Sequence, residues 1–387
     1  MSQSREQVAS DALDDSHALK RRIATLEEQN AELRGESSQK SRGDPYLMAG
    51  RAIRRLVCLT DRIEDLVGEY DRRTSLYDED DDPQYSEEEE KTYQAFQQLL
   101  RWVPCIRSLI SSQSDGHQLN VIYQKLNRGA DSARGDDAAS MKLAVASWLN
   151  ESSFAPDPPI HSRDKTGRGF YNNATAKLIC PDLRYAIGLN CETDVDHSTQ
   201  EGIRNYEPTF QVTAHSWPSF LYKDNKYDQE DPTKGLFKGD FLVRAFKHIF
   251  TSPSSAAETR PDEESTPEPL YKRSRTQGER RTRSDVATLL GMRSVQPRAI
   301  AYSAVQLRFA LSSCGSWRIV DDDFDHDQFY AYMVDYFEHP PTPTAKNSVD
   351  ALLVWWNRKI FGPRSVSTYS PQVAANYSVA NTSAKRH

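Results

Sequence analysis

Leu19, Ile23, Leu26, Asn30 and Leu33 recur at alternating steps of four and three residues with polar positions between them. This is the seam of a coiled coil, with Leu at d, Ile at a and one polar Asn at a. In a parallel homodimer the flanking charges match, because Asp15 faces Lys20 and Arg22 faces Glu27 of the second chain. Gly35 ends the pattern, so only about three heptads are available and the coil is marginal alone. The competing reading is a lone amphipathic helix packed on its own domain. A leucine-zipper DNA reader needs a basic helix just upstream, where this chain carries Asp11, Asp14 and Asp15.

After a polar linker to Asp44, the apolar positions Leu47, Ile53, Leu56, Val57, Ile63, Leu66, Val67 and Tyr70 predict one long amphipathic helix. The acidic stretch from Asp78 to Glu90 then reads as a solvated loop. A helical period returns from Tyr93 to Ile110, with a kink expected at Pro104. Two shorter helices are expected, from Leu119 to Leu126 and from Asp137 to Leu149. From Ala155 to Lys234 the chain is rich in Pro, Gly, Asn, Asp and Tyr and keeps no helical period. It reads mostly as ordered loop, with Leu178 to Cys180, Phe210 to Thr213 and Ser219 to Tyr222 as candidates for short strands. Further helices are expected from Leu236 to Phe250, from Ile300 to Leu311 behind Pro297, from Phe324 to Phe337 and from Val349 to Phe361. Residues 254–284 and 362–387 are polar and read as a disordered insertion and a disordered tail. The expected fold is mainly α: a short coiled coil and linker over 1–44, then an irregular multi-helix domain over 45–361 with a long loop-rich central segment.

Composition adds limits rather than an activity. Hydrophobic residues make up 37% and mean hydropathy is −0.74, so a sizeable part of the chain is expected to be solvated. The net charge of −7 is concentrated in the stretch from Asp78 to Glu90. The remainder is near neutral, and no whole-chain field argues for nucleic acid. Five scattered cysteines behind a polar N-terminus read as reduced thiols of a nuclear or cytoplasmic protein. The longest apolar run, Ala351 to Trp356, is too short for a bilayer, so no membrane partner is expected.

Catalytic motifs with firm mechanical logic are missing from the sequence: there is no His-Glu-x-x-His, no Gly-x-Ser-x-Gly and no Gly-x-x-x-x-Gly-Lys. Cys180, Cys191 and His197 match no tight zinc spacing. Asp78, Asp80, Asp82 and Glu89 fit a calcium loop except that Pro83 stands where glycine must turn the chain. Asp321, Asp323 and Asp325 repeat its start, but Tyr332 takes the twelfth position, and Asp325 reads instead as a helix cap. We therefore assign no catalytic residue, no metal and no cofactor, and lean away from an enzyme. His248 and Arg308 lie within apolar helices and read as satisfied structural groups. Lys272, Arg273, Arg275, Arg280, Arg281 and Arg283 form a basic tract that reads as a nuclear-import signal or a nucleic-acid contact, against the plainer reading of a solvated linker.

Several blocks resemble an uncharacterised domain family, a domain of unknown function expanded in mushroom-forming fungi. They are Gly129 to Lys142, Arg168-Gly169-Phe170, Leu178 to Pro181, Trp217 to Tyr222, Gly235 to Ser255, Ile300 to Ser313 and Trp355 to Phe361. The chain departs from that pattern in a longer stretch between Pro181 and Trp217. The resemblance implies a fungal intracellular protein and carries over no activity or site residue. The leading expectation is a non-enzymatic interaction protein that forms a homodimer or pairs with a coiled-coil partner. The alternative is a nucleic-acid-associated protein of a mobile-element or chromatin pathway, and the weaker alternative an enzyme with an unrecognised site.

Overall fold

Asp44 opens the helical body by accepting the backbone amides of Tyr46 and Leu47 at 2.9 and 3.3 Å, with Pro45 in the first turn behind it. The computed structural model describes residues 43–76, 84–111, 116–152, 155–181, 197–257 and 285–362. The long helix expected after the linker is three pieces, α1 (Pro45–Gly50), α2 (Ile53–Leu56) and α3 (Ile63–Leu76). The chain breaks because its polar residues turn inward rather than toward solvent. Arg54 donates to the Asp61 carbonyl at 2.6 Å, and Thr60 in the turn donates to Asp327 at 2.7 Å.

Helix α4 (Glu87–Trp102) begins in a capping box, with Ser86 and Glu89 bonding each other's backbone amides at 3.2 and 2.7 Å. Glu87 to Glu90 thus form a helical first turn rather than part of an acidic loop, because carboxylates offset the positive end of the helix dipole. Arg73 ties α3 to α4 through Glu90 at 3.0 Å, Glu69 of its own helix holds it at 2.8 Å, and its guanidinium stacks on Tyr85 and Tyr93. The break at Pro104 occurs as expected, and α5 (Cys105–Ser111) follows it.

The next helix, α6 (Gly116–Asn150), runs 35 residues without interruption where two shorter ones were expected. Its polar middle points at partners. Asp131, Asp136 and Asp137 receive Arg54, Arg51 and Arg55 at 3.2, 2.9 and 2.7 Å. The α1 and α6 backbones touch: a Cβ on Gly50 would lie 2.1 Å from the Leu126 carbonyl oxygen, and one on Gly129 2.2 Å from that of Leu47.

The central segment holds α7 (Asn173–Ile179), α8 (His197–Arg204) and several single-turn 3-10 pieces. None of the three candidate strands forms. Leu178 and Ile179 end α7, residues 208–210 and 219–221 are 3-10 turns, and Tyr222 makes only an isolated bridge to Leu236. Helix α9 (Asp240–Phe250) is followed by α10 (Pro253–Ala257), so residues 254–257 are helical rather than part of the insertion. Ser252 starts that turn by accepting the Ser255 amide at 3.1 Å. Beyond it come α11 (Val286–Leu289) and α12 (Pro297–Leu311).

Helix α12 is the hub. Every residue from Arg298 to Leu311 is buried, and α2, α6, α7, α9 and α13 pack around it. A minimal hairpin, β1 (Val320–Asp321) and β2 (Phe324–Asp325), leads into α13 (His326–Glu338). Asp325 caps α13 as expected, accepting the amides of Asp327 and Gln328 at 2.8 and 3.0 Å. Helix α14 (Pro343–Phe361) closes the fold and sinks Trp356, whose indole N–H donates to the Phe237 carbonyl at 3.1 Å. Two apolar clusters result, one around α3, α4 and α5, the other around α9, α12 and α13, with Trp102 and Leu290 touching both. Among the described residues no helix is long and apolar enough to cross a membrane.

Candidate functional site

The coil positions Leu19, Ile23, Leu26, Asn30 and Leu33 lie outside the described residues, as do Lys272, Arg273, Arg275, Arg280, Arg281, Arg283 and Cys191. Cys180 is buried and His197 opens α8. Among the described residues no three metal-ligating side chains converge.

What the fold does assemble is a groove of about 410 Å³ where α4 meets the start of α12 and the end of α13. Gln94, Gln98 and Arg101 sit on successive turns of one face of α4, with Gln97 beside them. Gln296, Pro297 and His339 form the facing wall, and Leu56 and Trp102 add apolar surface. Gln296 is anchored by its own turn, its Nε2 donating to the Ser294 carbonyl and hydroxyl at 3.0 and 2.9 Å. Arg298 and Glu338 also line the groove and hold each other by two bonds of 2.9 and 2.8 Å, while Arg298 Nη1 donates to the Val57 carbonyl. Burial works against the Arg298 charge, but the Glu338 carboxylate more than compensates and lifts it above the ordinary arginine value. The groove's signal in the sequence was the Gln94, Gln97, Gln98 spacing. Its other wall comes from residues some 200 positions later, as Gln296 and His339 show.

Buried charges elsewhere are engaged in holding helices together. Arg55 and Tyr302 both donate to Asp137, and burial pushes the Tyr302 hydroxyl well above its usual range. Lys165 donates to the Phe309 and Cys314 carbonyls, the latter at 2.6 Å. Burial lowers that amine to about 7. Arg168 donates to the carbonyls of Ala310, His161 and Lys142 at 2.7, 2.9 and 3.0 Å. Together these two cations satisfy carbonyls at the C-terminal end of α12, where the helix dipole is negative. His248 is satisfied as expected, its Nε2 lying 2.6 Å from the Ser140 hydroxyl. Arg308 is not. It is buried, its Nε and Nη1 have no hydrogen-bond partner, and burial lowers it to about 10. The acids that influence it, Asp321 and Asp322, lie on the hairpin and make no hydrogen bond to it.

A family model described as a family of unknown function, DUF6698, matches residues 128–361, more than half of the chain. The chain belongs to the DUF6698 family. The DUF6698 match begins inside α6 and takes in α7 to α14, so it holds the α12 and α13 wall of the groove but not the α4 wall. No curated protein and no solved structure matches the chain.

Proposed function

We propose that this DUF6698 chain is a non-enzymatic protein-interaction module, which self-associates through its N-terminal coil and holds an extended peptide segment in the groove between α4 and α12. The groove carries this reading. A peptide backbone presents N–H and C=O groups in alternation, and side-chain amides such as those of Gln94, Gln97 and Gln98 can meet either. Leu56 and Trp102 supply the apolar contact that shelters such bonds from water. The engagement of Arg55, Lys165, Arg168 and Arg298 in internal bonds points the same way, since those groups hold the scaffold. Selection of a random peptide library against the full chain tests the reading. A consensus should emerge whose affinity falls at least about tenfold, or about 1.4 kcal/mol, in a folded Gln98→Trp variant that fills the groove. No enrichment over a blank, or equal binding by the variant, overturns it.

A second reading, nucleic-acid association, is favoured by the tract from Lys272 to Arg283, in which Glu279 is the sole acid. Six phosphate contacts would give a log–log salt slope of up to about five, flattened when Arg280, Arg281 and Arg283 become Ala. Salt-insensitive binding, or none, removes that reading.

A further inference from the structure

A guanidinium taken out of water costs several kcal/mol unless oxygen atoms receive its N–H groups. Among the described residues the other buried arginines and Lys165 each meet a carboxylate or carbonyl oxygen, as Arg298 meets Glu338 and Arg168 meets the Ala310 carbonyl. Arg308, 3% exposed, leaves its Nε and Nη1 without one. The Phe324 ring lies 4.3 Å from its guanidinium carbon, a cation–π contact that returns only part of what desolvation takes from the charge.

The same ring leads to a second unanswered group. Phe324 stands 5.3 Å from the ring of His326, which is fully buried and has neither ring nitrogen hydrogen-bonded. Trp317, 5.3 Å away, and Phe309, 6.4 Å away, complete an aromatic wall around the imidazole. The backbone N–H of His326 donates to the Ile319 carbonyl at 2.9 Å, which sets the pair directly against the β1–β2 hairpin. Lys165 reaches the same enclosure, with its Nζ 3.5 Å from the centre of the Phe309 ring. Positive charge, unanswered N–H donors and apolar walls are thus gathered at one place. A hairpin of two residues per strand, with Val320 and the preceding Ile319 50% and 46% exposed, adjoins it.

We propose that Arg308 and His326 form an internal binding site for a small oxyanion, a phosphate-type group or a carboxylate, beside the β1–β2 hairpin. Arg308 supplies the charge and N–H donors, and the imidazole supplies a further N–H from whichever nitrogen carries the proton. Lys165 contributes field rather than a bond, because its amine is already given to two carbonyls. Asp321 and Asp322 on the hairpin partly offset the positive charge and favour an anion of low net charge.

Thermal unfolding of the full chain in chloride, phosphate and acetate at matched ionic strength tests the proposal. A saturable rise in Tm is expected in phosphate or in acetate, and the arm that responds identifies the chemistry. Arg308→Met has a distinctive signature. It should raise Tm in chloride, by removing an unanswered buried charge, and abolish the response to the oxyanion. His326→Phe keeps the ring and removes the second donor, and should weaken the saturation midpoint several-fold with Arg308 still in place. If neither phosphate nor acetate moves Tm beyond the chloride control, or if Arg308→Met still responds, the site does not exist. The wild-type titration decides the matter even where a variant fails to fold.

Discussion

Arg55 and Asp137 meet side by side inside the protein, with guanidinium Nε and Nη2 donating to the two carboxylate oxygens at 2.8 and 2.7 Å. Tyr302 donates to the same carboxylate at 2.8 Å and brings α12 into the pairing. Asp137→Ala leaves Arg55 buried and unpaired and should cost about 3–5 kcal/mol. Replacing both partners, Arg55→Met with Asp137→Leu, should cost less than that single change. Tyr302→Phe should cost about 1 kcal/mol. Urea unfolding of the four chains orders these values.

The close approach of α1 and α6 makes two glycines of one helix behave oppositely. Gly129 faces a backbone oxygen that cannot move aside, whereas nothing lies within 4 Å of a Cβ at Gly135. Gly135→Ala should stabilise by up to about 1 kcal/mol through helix propensity. Gly129→Ala should destabilise by about 1–3 kcal/mol or more, because overpacking outweighs the same gain. Denaturation midpoints shifted in the same direction for both would contradict the contact.

His326 sets an acid limit on stability. Burial, reinforced by the nearby Arg308 charge, holds its imidazole down to about 3 against an ordinary value of 6.5. Above pH 6.5 neither folded nor unfolded chain protonates it and nothing is lost. Between pH 6.5 and 3 the unfolded chain takes up a proton that the folded chain refuses, so stability falls by up to about 1.4 kcal/mol per pH unit. In chloride buffer, His326→Phe should lose less stability than the wild type between pH 7 and pH 4.5, as read from urea midpoints at the two values. Equal losses would show that the imidazole can protonate in the folded chain.

The N-terminal heptads give a separate expectation for the whole chain. Complementary Asp15/Lys20 and Arg22/Glu27 pairs favour a homodimer. Sedimentation of the full chain and of a form lacking residues 1–35 at tens of micromolar, a range suited to about three heptads, should give roughly twofold different masses after allowing for the deletion. Two monomers would end the homodimer reading.

The parts of the fold legible in sequence were those governed by local chemistry. Pro297 marked the start of α12, Pro104 broke the chain after α4, and Asp325 capped α13, each through a rule confined to neighbouring residues. The rest depended on distant partners. Asp131 and Asp136 fall between the two helices that the apolar period predicts and Asp137 begins the second, yet the arginines that hold them in one helix lie about 80 positions earlier. Arg51, Arg54 and Arg55 read as a solvent face for the same reason. The groove joins residues near 94–102 to residues near 296–298 and 338–339, and no local period announces such a meeting. Arg308 lies in an apolar helix as the sequence predicts, but its Nε and Nη1 are not satisfied, because a helical period reveals burial and not hydrogen-bond partners.

The boundary of sequence similarity falls at residue 128, one residue before the glycine that lets α6 rest on Leu47. A fragment cut there would begin in the middle of a 35-residue helix, expose the seat of α1, and strand Asp131, Asp136 and Asp137 without their arginines. The stretch that the family model matches therefore leaves out part of the packing on which it rests. The shared block inherits its footing from residues that its family signature does not describe.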